Sequence, residues 1–446
     1  MTVENHRNNL LYKLSNKTAK LGVIGLGYVG LPFSIAAGQH GLETLGFDID
    51  PEKCTAIAEH RSYLNHISAD VIAQVVDSGH FEATDNFDRL GEMDILVICV
   101  PTPLTRHREP DLSYLVATTE EIEKRLQPGQ LIVLESTTYP GTTDEIMRPI
   151  LERTGLKANE DFFLAFSPER EDPGNKNFTT STIPKIVGAD RPEARDVAEA
   201  FYSVIIEKVV MVSNTRTAEM VKLTENIFRS VNIALANEMK VISEPMGIDI
   251  WEVIDAAKSK PFGFMPFYPG PGLGGHCIPI DPFYLAWKAK EFDITTRFIE
   301  LAGEINSAMP YRVVESLARA LDARFQKSLS GSKILIAGIA YKKNVDDMRE
   351  SPALKIIEIL EKRGAETSFF DPWVSKIPVT REHPLLSGRH SLQWQQNLAK
   401  NFDATLIVTD HDNVDYHALA SSAELIVDTR NACRRMGVDS EKIILA

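Results

Sequence analysis

A histidine, a cysteine and an aspartate fall close together in the run Gly270-Pro-Gly-Leu-Gly-Gly-His-Cys-Ile-Pro-Ile-Asp-Pro282. Cys277 has His276 beside it and Asp281 four positions on. The glycines of the run let a backbone approach a ligand closely and take positive φ angles. Prolines 271, 279 and 282 stiffen the same segment. A thiol held in this way, with a carboxylate in reach, has what covalent catalysis on an aldehyde or acyl group requires. The competing reading is a buried structural cysteine in a tight turn. The rest of the chain supplies what a nucleophile would need.

A dinucleotide fingerprint stands near the start. Residues 20–25 read as a buried strand, and Gly25-Leu26-Gly27-Tyr28-Val29-Gly30 opens a helix-like run through Ala37. A second apolar run, 44–47, ends at Asp48. This order of strand, tight turn, helix, strand and acid is that of a Rossmann unit. Gly25 permits the turn, Gly27 lets the backbone meet a pyrophosphate, and Gly30 lets helix and strand pack. The phosphates would sit on the helix N-terminus, where free amides and the dipole favour anions. Asp48 would accept from the adenosine ribose and repel a 2′-phosphate, so NAD is expected rather than NADP.

Further strands are expected at 94–100, 131–135 and 162–166, separated by helical stretches, which is the pattern of a parallel, doubly wound sheet. Loops after such strands form the ligand crevice. Thr102 in Val100-Pro-Thr-Pro103, Thr137 in Ser136-Thr-Thr138, and Glu169 and Arg170 in Ser167-Pro-Glu-Arg170 should therefore face it. Turn capping is the alternative role for the threonines.

Residues 217–243 contain no proline or glycine and read as one long helix. Met220, Leu223, Ile227, Val231, Ala234, Leu235 and Ile242 fall on one side of it, while Glu219, Lys222, Asn226, Ser230 and Asn237 share a narrow opposite arc. A solvated polar face is the ordinary explanation. Against it, Asn is a poor choice for an exposed helix interior. Lys222 and Asn226 at i,i+4 also present an ammonium and an amide side by side, able to hold an oxyanion or a phosphate-bearing substrate.

The last third repeats the α/β pattern, with strands expected at 333–340, 367–370, 405–409 and 425–427. Its first loop lacks the glycine fingerprint, so a second dinucleotide is not expected there. Lys342, Lys343 and Arg349 at a strand-to-helix junction suggest phosphate binding by charge, against the alternative of a solvated basic loop. Ser351 can cap the following helix, with Pro352 at its first position.

The chain has 446 residues, more than one ordinary core, so several domains are expected. They are a polar N-terminal tail at 1–19, a NAD-binding Rossmann domain at 20–213, a helical central region with the catalytic loop at 214–325, and a Rossmann-like domain at 326–446. The fold class is thus α/β, two parallel-sheet domains joined by a long central helix. A net charge of −14 argues against nucleic acid as a partner. The apolar runs are too short to span a bilayer, and the polar start lacks a secretory h-region. Four cysteines at 54, 99, 277 and 433 form neither a disulfide framework nor a metal cluster, which suits the cytoplasm.

Together these motifs resemble the UDP-sugar dehydrogenases, and within them the bacterial enzymes acting on UDP-N-acetylhexosamines. The resemblance runs from about residue 20 to about residue 431. It is carried by Gly25–Gly30, Ser167–Arg170, Lys222 with Asn226, the run from Gly274 to Asp281, and Arg349-Glu-Ser-Pro352. It implies a NAD-dependent, four-electron oxidation of a sugar C6 alcohol to a carboxylate. Cys277 would attack the intermediate aldehyde, giving a thiohemiacetal and then a thioester that water hydrolyses. Lys222 would steady the alkoxide or take its proton, and Asn226 would support the oxyanion. Asp281 would assist proton transfer, and Glu169 and Thr137 would act at the reacting end. Tyr341 and Lys342 would meet uracil and phosphate, and Arg349 would reach NAD. Arg170, Tyr268 and Gly274 would line the sugar site. Lys260-Pro-Phe-Gly-Phe-Met-Pro-Phe-Tyr-Pro269 looks closer to enzymes of UDP-N-acetylglucosamine than to those of the ManNAc epimer, with UDP-glucose a further alternative. Where many relatives donate an arginine to the neighbouring subunit's substrate, this chain has Lys260-Pro-Phe262. The resemblance also implies a homodimer built on the central helix and a product used for capsule or O-antigen. Two rivals remain: a two-electron hydroxyacid dehydrogenase of the 6-phosphogluconate type, and a non-catalytic NAD-binding redox sensor.

Overall fold

Short apolar runs buried on both faces, spaced by helices, become two separate sheets. The structure is a computed structural model and describes residues 2–64, 67–105, 109–170, 179–275, 278–380 and 382–446. The chain divides into two units, Met1–Glu225 with Trp287–Ile294, and Asn226–Ala286 with Thr295–Ala446. The division falls inside the long helix, so the central segment is shared out between the two units.

In the first unit the strands are β1 (Lys20–Ile24), β2 (Glu43–Phe47), β3 (Phe81–Thr84), β4 (Ile95–Ile98), β5 (Leu131–Leu134), β6 (Phe163–Phe166), β7 (Lys185–Gly188) and β8 (Val209–Val212). They lie in the order β3-β2-β1-β4-β5-β6-β7-β8. All pairs are parallel except β6 with β7, which meet antiparallel at Phe166 and Gly188. Strands β4, β5 and β6 are buried at every position, as a sheet covered on both faces requires. Val23, Val97 and Val133 pack on one side with Phe33 and Phe201, while Ile24, Ile98 and Leu134 pack on the other. The order reverses between β1 and β4, and that switch point opens the crevice where a dinucleotide fits.

The segment expected as a polar tail holds a helix, Val3–Ser15. Its composition hid a narrow stripe: Leu10 and Leu14 are each 2% exposed, and the helix packs on Pro192–Ile205. Arg7 pairs with Asp196 at 2.6 Å across that contact.

In the second unit β9 (Lys333–Ala337), β10 (Glu366–Phe370), β11 (Ala404–Ile407), β12 (Ile426–Asp428) and β13 (Ile443–Leu445) form an all-parallel sheet in the order β10-β9-β11-β12-β13. Helices Arg297–Phe325 and Pro352–Lys362 cover it through Val313, Leu317, Leu354 and Ile357. Ser351 caps the second of these by accepting from the Ala353 amide, with Pro352 in its first turn. Among the described residues, no helix is long and apolar enough to cross a membrane.

The long helix runs from Thr215 to Ser243, and its faces are the reverse of the ordinary expectation. Every member of the polar arc, Glu219, Lys222, Asn226, Ser230 and Asn237, is buried. Leu223 and Ala234 are buried too, but Leu235 and Ile242 are 54% and 49% exposed. Four members of the arc, Glu219, Lys222, Asn226 and Asn237, are buried against partners from other segments of the chain.

Candidate functional site

The fingerprint residues of the first unit lie on the turn between β1 and helix Gly30–Gln39. Gly25 follows β1 with φ +96°, and a Cβ there would come 2.8 Å from the Cys99 carbonyl oxygen. A Cβ on Gly30 would lie 2.0 Å from the Gly25 carbonyl oxygen, so the turn closes only on glycine. A Cβ on Gly27 would meet nothing within 4 Å, which leaves open space beside that backbone. Helix Gly30–Gln39 has no side-chain cap at its N-terminus, so the positive end of its dipole faces the turn, where an anion is favoured. At the end of β2, Asp48 accepts from the Leu26 amide at 2.9 Å and the Asp50 amide at 3.0 Å. Lys53 also pairs with it at 2.9 Å. The open backbone at Gly27, the uncapped helix and the carboxylate together fit NAD. Gly25, Leu26, Gly27, Tyr28, Val29 and Gly30 would hold the pyrophosphate and Asp48 the ribose.

The loops after β4 and β5 are tied to each other, and the loop after β6 is held by the long helix. The Thr102 hydroxyl donates to the Thr137 carbonyl at 2.6 Å, and the Ser136 hydroxyl donates to the Val100 carbonyl at 2.6 Å. Lys222, 6% exposed, donates to the Glu169 carbonyl at 2.5 Å, and its Nζ lies 3.7 Å from the Glu169 carboxylate. Burial pushes the Glu169 carboxyl up from its ordinary value, against the opposing pull of Lys222 and then Lys185. The Arg170 guanidinium is engaged by Glu225 at 2.6 Å and by the Pro184 carbonyl at 2.6 Å. Val29 of the fingerprint, Glu169, Arg170, Phe33, Glu135 and Lys185 line one small cavity.

The wall of that cavity includes a buried group that sequence reasoning missed. Lys185 pairs with Glu135 at 3.0 Å, and the Tyr202 hydroxyl donates to the same carboxylate at 2.5 Å. The Lys185 ammonium also lies 5.6 Å from the Phe33 ring centre and 5.5 Å from that of Tyr202. The only hint in the sequence is an acid and a base placed at the ends of apolar strands.

The second unit assembles the other half of the expected residues. Asn226 donates to the Asp281 carboxylate at 2.5 Å, and both side chains are buried. Asp281 opens helix Asp281–Ala289, directly after the cysteine run. Asn237 accepts from the Gly270 amide at 2.9 Å and donates to Asn306 at 2.9 Å, so the start of the run is pinned to the helix. A Cβ on Gly274 would come 2.8 Å from the Tyr341 Cβ, and one on Gly275 would come 2.9 Å from the Tyr341 ring. Gly275 also has φ +84°, and its amide donates to the Arg349 carbonyl at 2.9 Å. Glycine is thus what allows the loop to lie on Tyr341. Lys342 reaches to 6.0 Å from the same ring centre. Arg349 grips Asp347 with two nitrogens, at 3.0 and 2.7 Å. Tyr268, 39% exposed, donates its hydroxyl to Asp255 at 2.5 Å. Cys277 and His276 lie outside the described residues.

Comparisons with known proteins meet this arrangement. Residues 19–206 match the NAD binding domain of the UDP-glucose/GDP-mannose dehydrogenase family, 216–308 its central domain and 335–435 its UDP binding domain. The chain is similar to the UDP-N-acetyl-D-glucosamine 6-dehydrogenase of Pseudomonas aeruginosa, with 37% identity over 82% of this chain and 86% of that protein. It is also similar to the UDP-N-acetyl-D-mannosamine dehydrogenase of Pyrococcus horikoshii, with 34% identity over 92% of this chain and 95% of that one. The solved UDP-D-ManNAc dehydrogenase of the latter organism superposes with a TM-score of 0.83 over 93% of this chain and 96% of its own, at 34% identity. With the three domains present in order along one chain, the protein belongs to the UDP-glucose/GDP-mannose dehydrogenase family and is a NAD-dependent nucleotide-sugar 6-dehydrogenase.

Proposed function

We propose that the protein oxidises the C6 alcohol of UDP-N-acetylglucosamine to a carboxylate, in four electrons and through Cys277. The observation that carries the reading is a pair of contacts on consecutive turns of one helix, Lys222 to Glu169 and Asn226 to Asp281. A buried ammonium and a buried amide, each set against a carboxylate, suit a reaction in which an oxyanion forms and protons move. NAD, when bound, would accept one hydride in each of the two oxidations, so two NAD are reduced for each alcohol taken to an acid. Lys222 stabilises the alkoxide as its charge develops, and Asn226 adds a neutral donor. The Cys277 thiolate forms a bond to the aldehyde carbon, whose oxygen takes a proton. After the second oxidation, water displaces the thiolate from the thioester. The Glu169 carboxyl, its proton affinity raised by burial, is suited to take up and return a proton. Tyr341 and Lys342 hold uracil and phosphate, while Arg170, Tyr268 and Gly274 belong to the sugar side. Thr137 and Thr102 flank the nicotinamide end, and Arg349 reaches NAD.

The glucosamine epimer is supported by the Lys260–Pro269 run and by the P. aeruginosa relative's name. A second reading, the mannosamine epimer, is favoured by the P. horikoshii relative, which matches over more of this chain. Discrimination between the epimers rests on the contacts the site makes to the C2 substituent, which an assay of both sugars reads directly. The protein would work in the cytoplasm as a homodimer, and its product would feed capsule or O-antigen assembly.

Purified protein offered UDP-GlcNAc, UDP-ManNAc, UDP-GalNAc and UDP-glucose should turn over the first fastest and release two NADH per sugar. Cys277→Ser should abolish steady-state turnover while NAD binding persists. One NADH per sugar, or full activity in that variant, overturns the mechanism. A higher kcat/KM with UDP-ManNAc overturns the choice of epimer.

A further inference from the structure

The second sheet repeats the first at one point and then departs from it. In the first unit the Gly25 amide donates to the Phe47 carbonyl at 2.8 Å, and Asp48 follows. In the second, the Gly338 amide donates to the Phe370 carbonyl at 2.8 Å, and Asp371 follows. Both glycines hold positive φ, +96° and +81°. The two aspartates nevertheless have different fates.

The Asp371 carboxylate is saturated from within. One oxygen accepts from the Ile339 amide at 2.7 Å and the Ala340 amide at 3.1 Å. The other accepts from the Trp373 amide at 2.8 Å and the Val374 amide at 3.0 Å. His411 Nε2 lies 3.0 Å from the first, and both side chains are fully sealed from solvent. A carboxylate has about four lone-pair sites, so five donors leave none for a ribose hydroxyl. The partners also hold the Asp371 carboxyl below its ordinary value, His411 foremost, against the upward push of burial.

The tautomer of His411 follows from its second contact. Nδ1 lies 2.9 Å from the Asn344 amide nitrogen, which can only donate. Nδ1 therefore carries no proton, and Nε2–H donates to Asp371. The ring is a strut between an acid anchored by four backbone amides and the turn at Asn344. That residue holds φ +62° and is tied further to Asp412, whose amide donates to its side chain at 3.0 Å. The same turn carries Tyr341 and Lys342. Just before them, Thr409 donates to the Ala340 carbonyl at 2.5 Å.

We propose that His411, braced by Asp371, is a positioning residue for the nucleotide sugar, fixing the turn that presents Tyr341 and Lys342. The inference rests on the reading of those two residues as the uracil and phosphate contacts. It adds a residue some 70 positions away in sequence, reached through one ring and two hydrogen bonds.

The test uses the full chain with His411→Leu, His411→Gln and, as control, Lys342→Ala. UDP and NAD are titrated separately by calorimetry, and steady-state rates are taken with UDP-GlcNAc. Loss of the strut should raise the UDP Kd and the sugar KM by about tenfold in H411L and about threefold in H411Q, whose amide keeps one hydrogen bond. The NAD Kd should stay within about twofold and kcat at saturating sugar within about threefold, a split that general unfolding would not give. If H411L fails to bind NAD as a folded protein must, H411Q carries the test. Unchanged UDP affinity in a folded variant overturns the proposal, as does a parallel loss of UDP and NAD affinity in H411Q. If K342A also leaves UDP affinity unchanged, the assignment of the substrate turn has failed. If K342A weakens UDP and the His411 variants do not, only the strut has failed.

Discussion

Lys222 and Lys185 are both buried, and their partners separate a charge placed for chemistry from one placed for stability. Lys222 faces a backbone carbonyl and a carboxylate whose proton affinity burial has raised. Lys185 meets a carboxylate that a tyrosine also holds, between two aromatic rings. Removing one member of such a pair leaves the other charged in an apolar interior. Lys185→Met should therefore destabilise the protein by about 3–5 kcal/mol in urea unfolding, and the double variant Glu135→Gln, Lys185→Met should recover most of that. At this scale the fingerprint was legible, because Gly25, Gly27, Gly30 and Asp48 carry their meaning in short spacings. Glu135 with Tyr202, 67 residues apart, and His411 with Asp371, 40 apart, were not. Nothing local in either pair announces the other.

The helix Thr215–Ser243 shows what element-level reading reaches and where it stops. Its extent was readable from the lack of glycine and proline. Its buried polar arc was not, although asparagines in a helix interior were the signal that its polar side was not simply solvated. Glu219 accepts from the Gly141 amide at 2.5 Å, the Thr143 amide at 2.9 Å and the Thr143 hydroxyl at 2.7 Å. Burial nevertheless pushes its carboxyl up to about 7. At the other end burial lowers Lys240, to about 8, and its ammonium sits 5.9 Å from the Trp251 ring centre. A lysine lowered on folding contributes its stability above its unfolded pKa of about 10.4, and that contribution is lost as pH falls through about 8. Lys240→Met should therefore be more stable than the parent at pH 7 by about 1–3 kcal/mol, with the difference vanishing above pH 10.5 or so. Thermal or urea unfolding at both pH values reads the sign directly.

At the scale of the molecule, the exposed side of that helix calls for a partner. Within the second unit Phe228, Leu235, Met239 and Ile242 are each 40% exposed or more and fall at helical spacing on one face. Monomeric proteins seldom leave such a stripe to water. If it is the homodimer contact proposed above, Leu235→Glu should halve the mass seen by light scattering while NAD binding survives. A mass unchanged by that substitution would place the contact elsewhere.

Sequence alone settled what depends on neighbours along the chain: two α/β halves, a NAD turn, a long helix between them and a cysteine in a glycine loop. Those features follow from periodicity and from backbone angles that only certain residues adopt, so spacing is enough to read them. Tertiary structure decided which polar groups would be buried and against what. The polar arc of the helix, the Lys185–Glu135 pair and the Asp371–His411 brace are stable only because distant partners meet them inside a low-dielectric core. A buried charge and a solvated one are written with the same letter, and only the fold tells them apart.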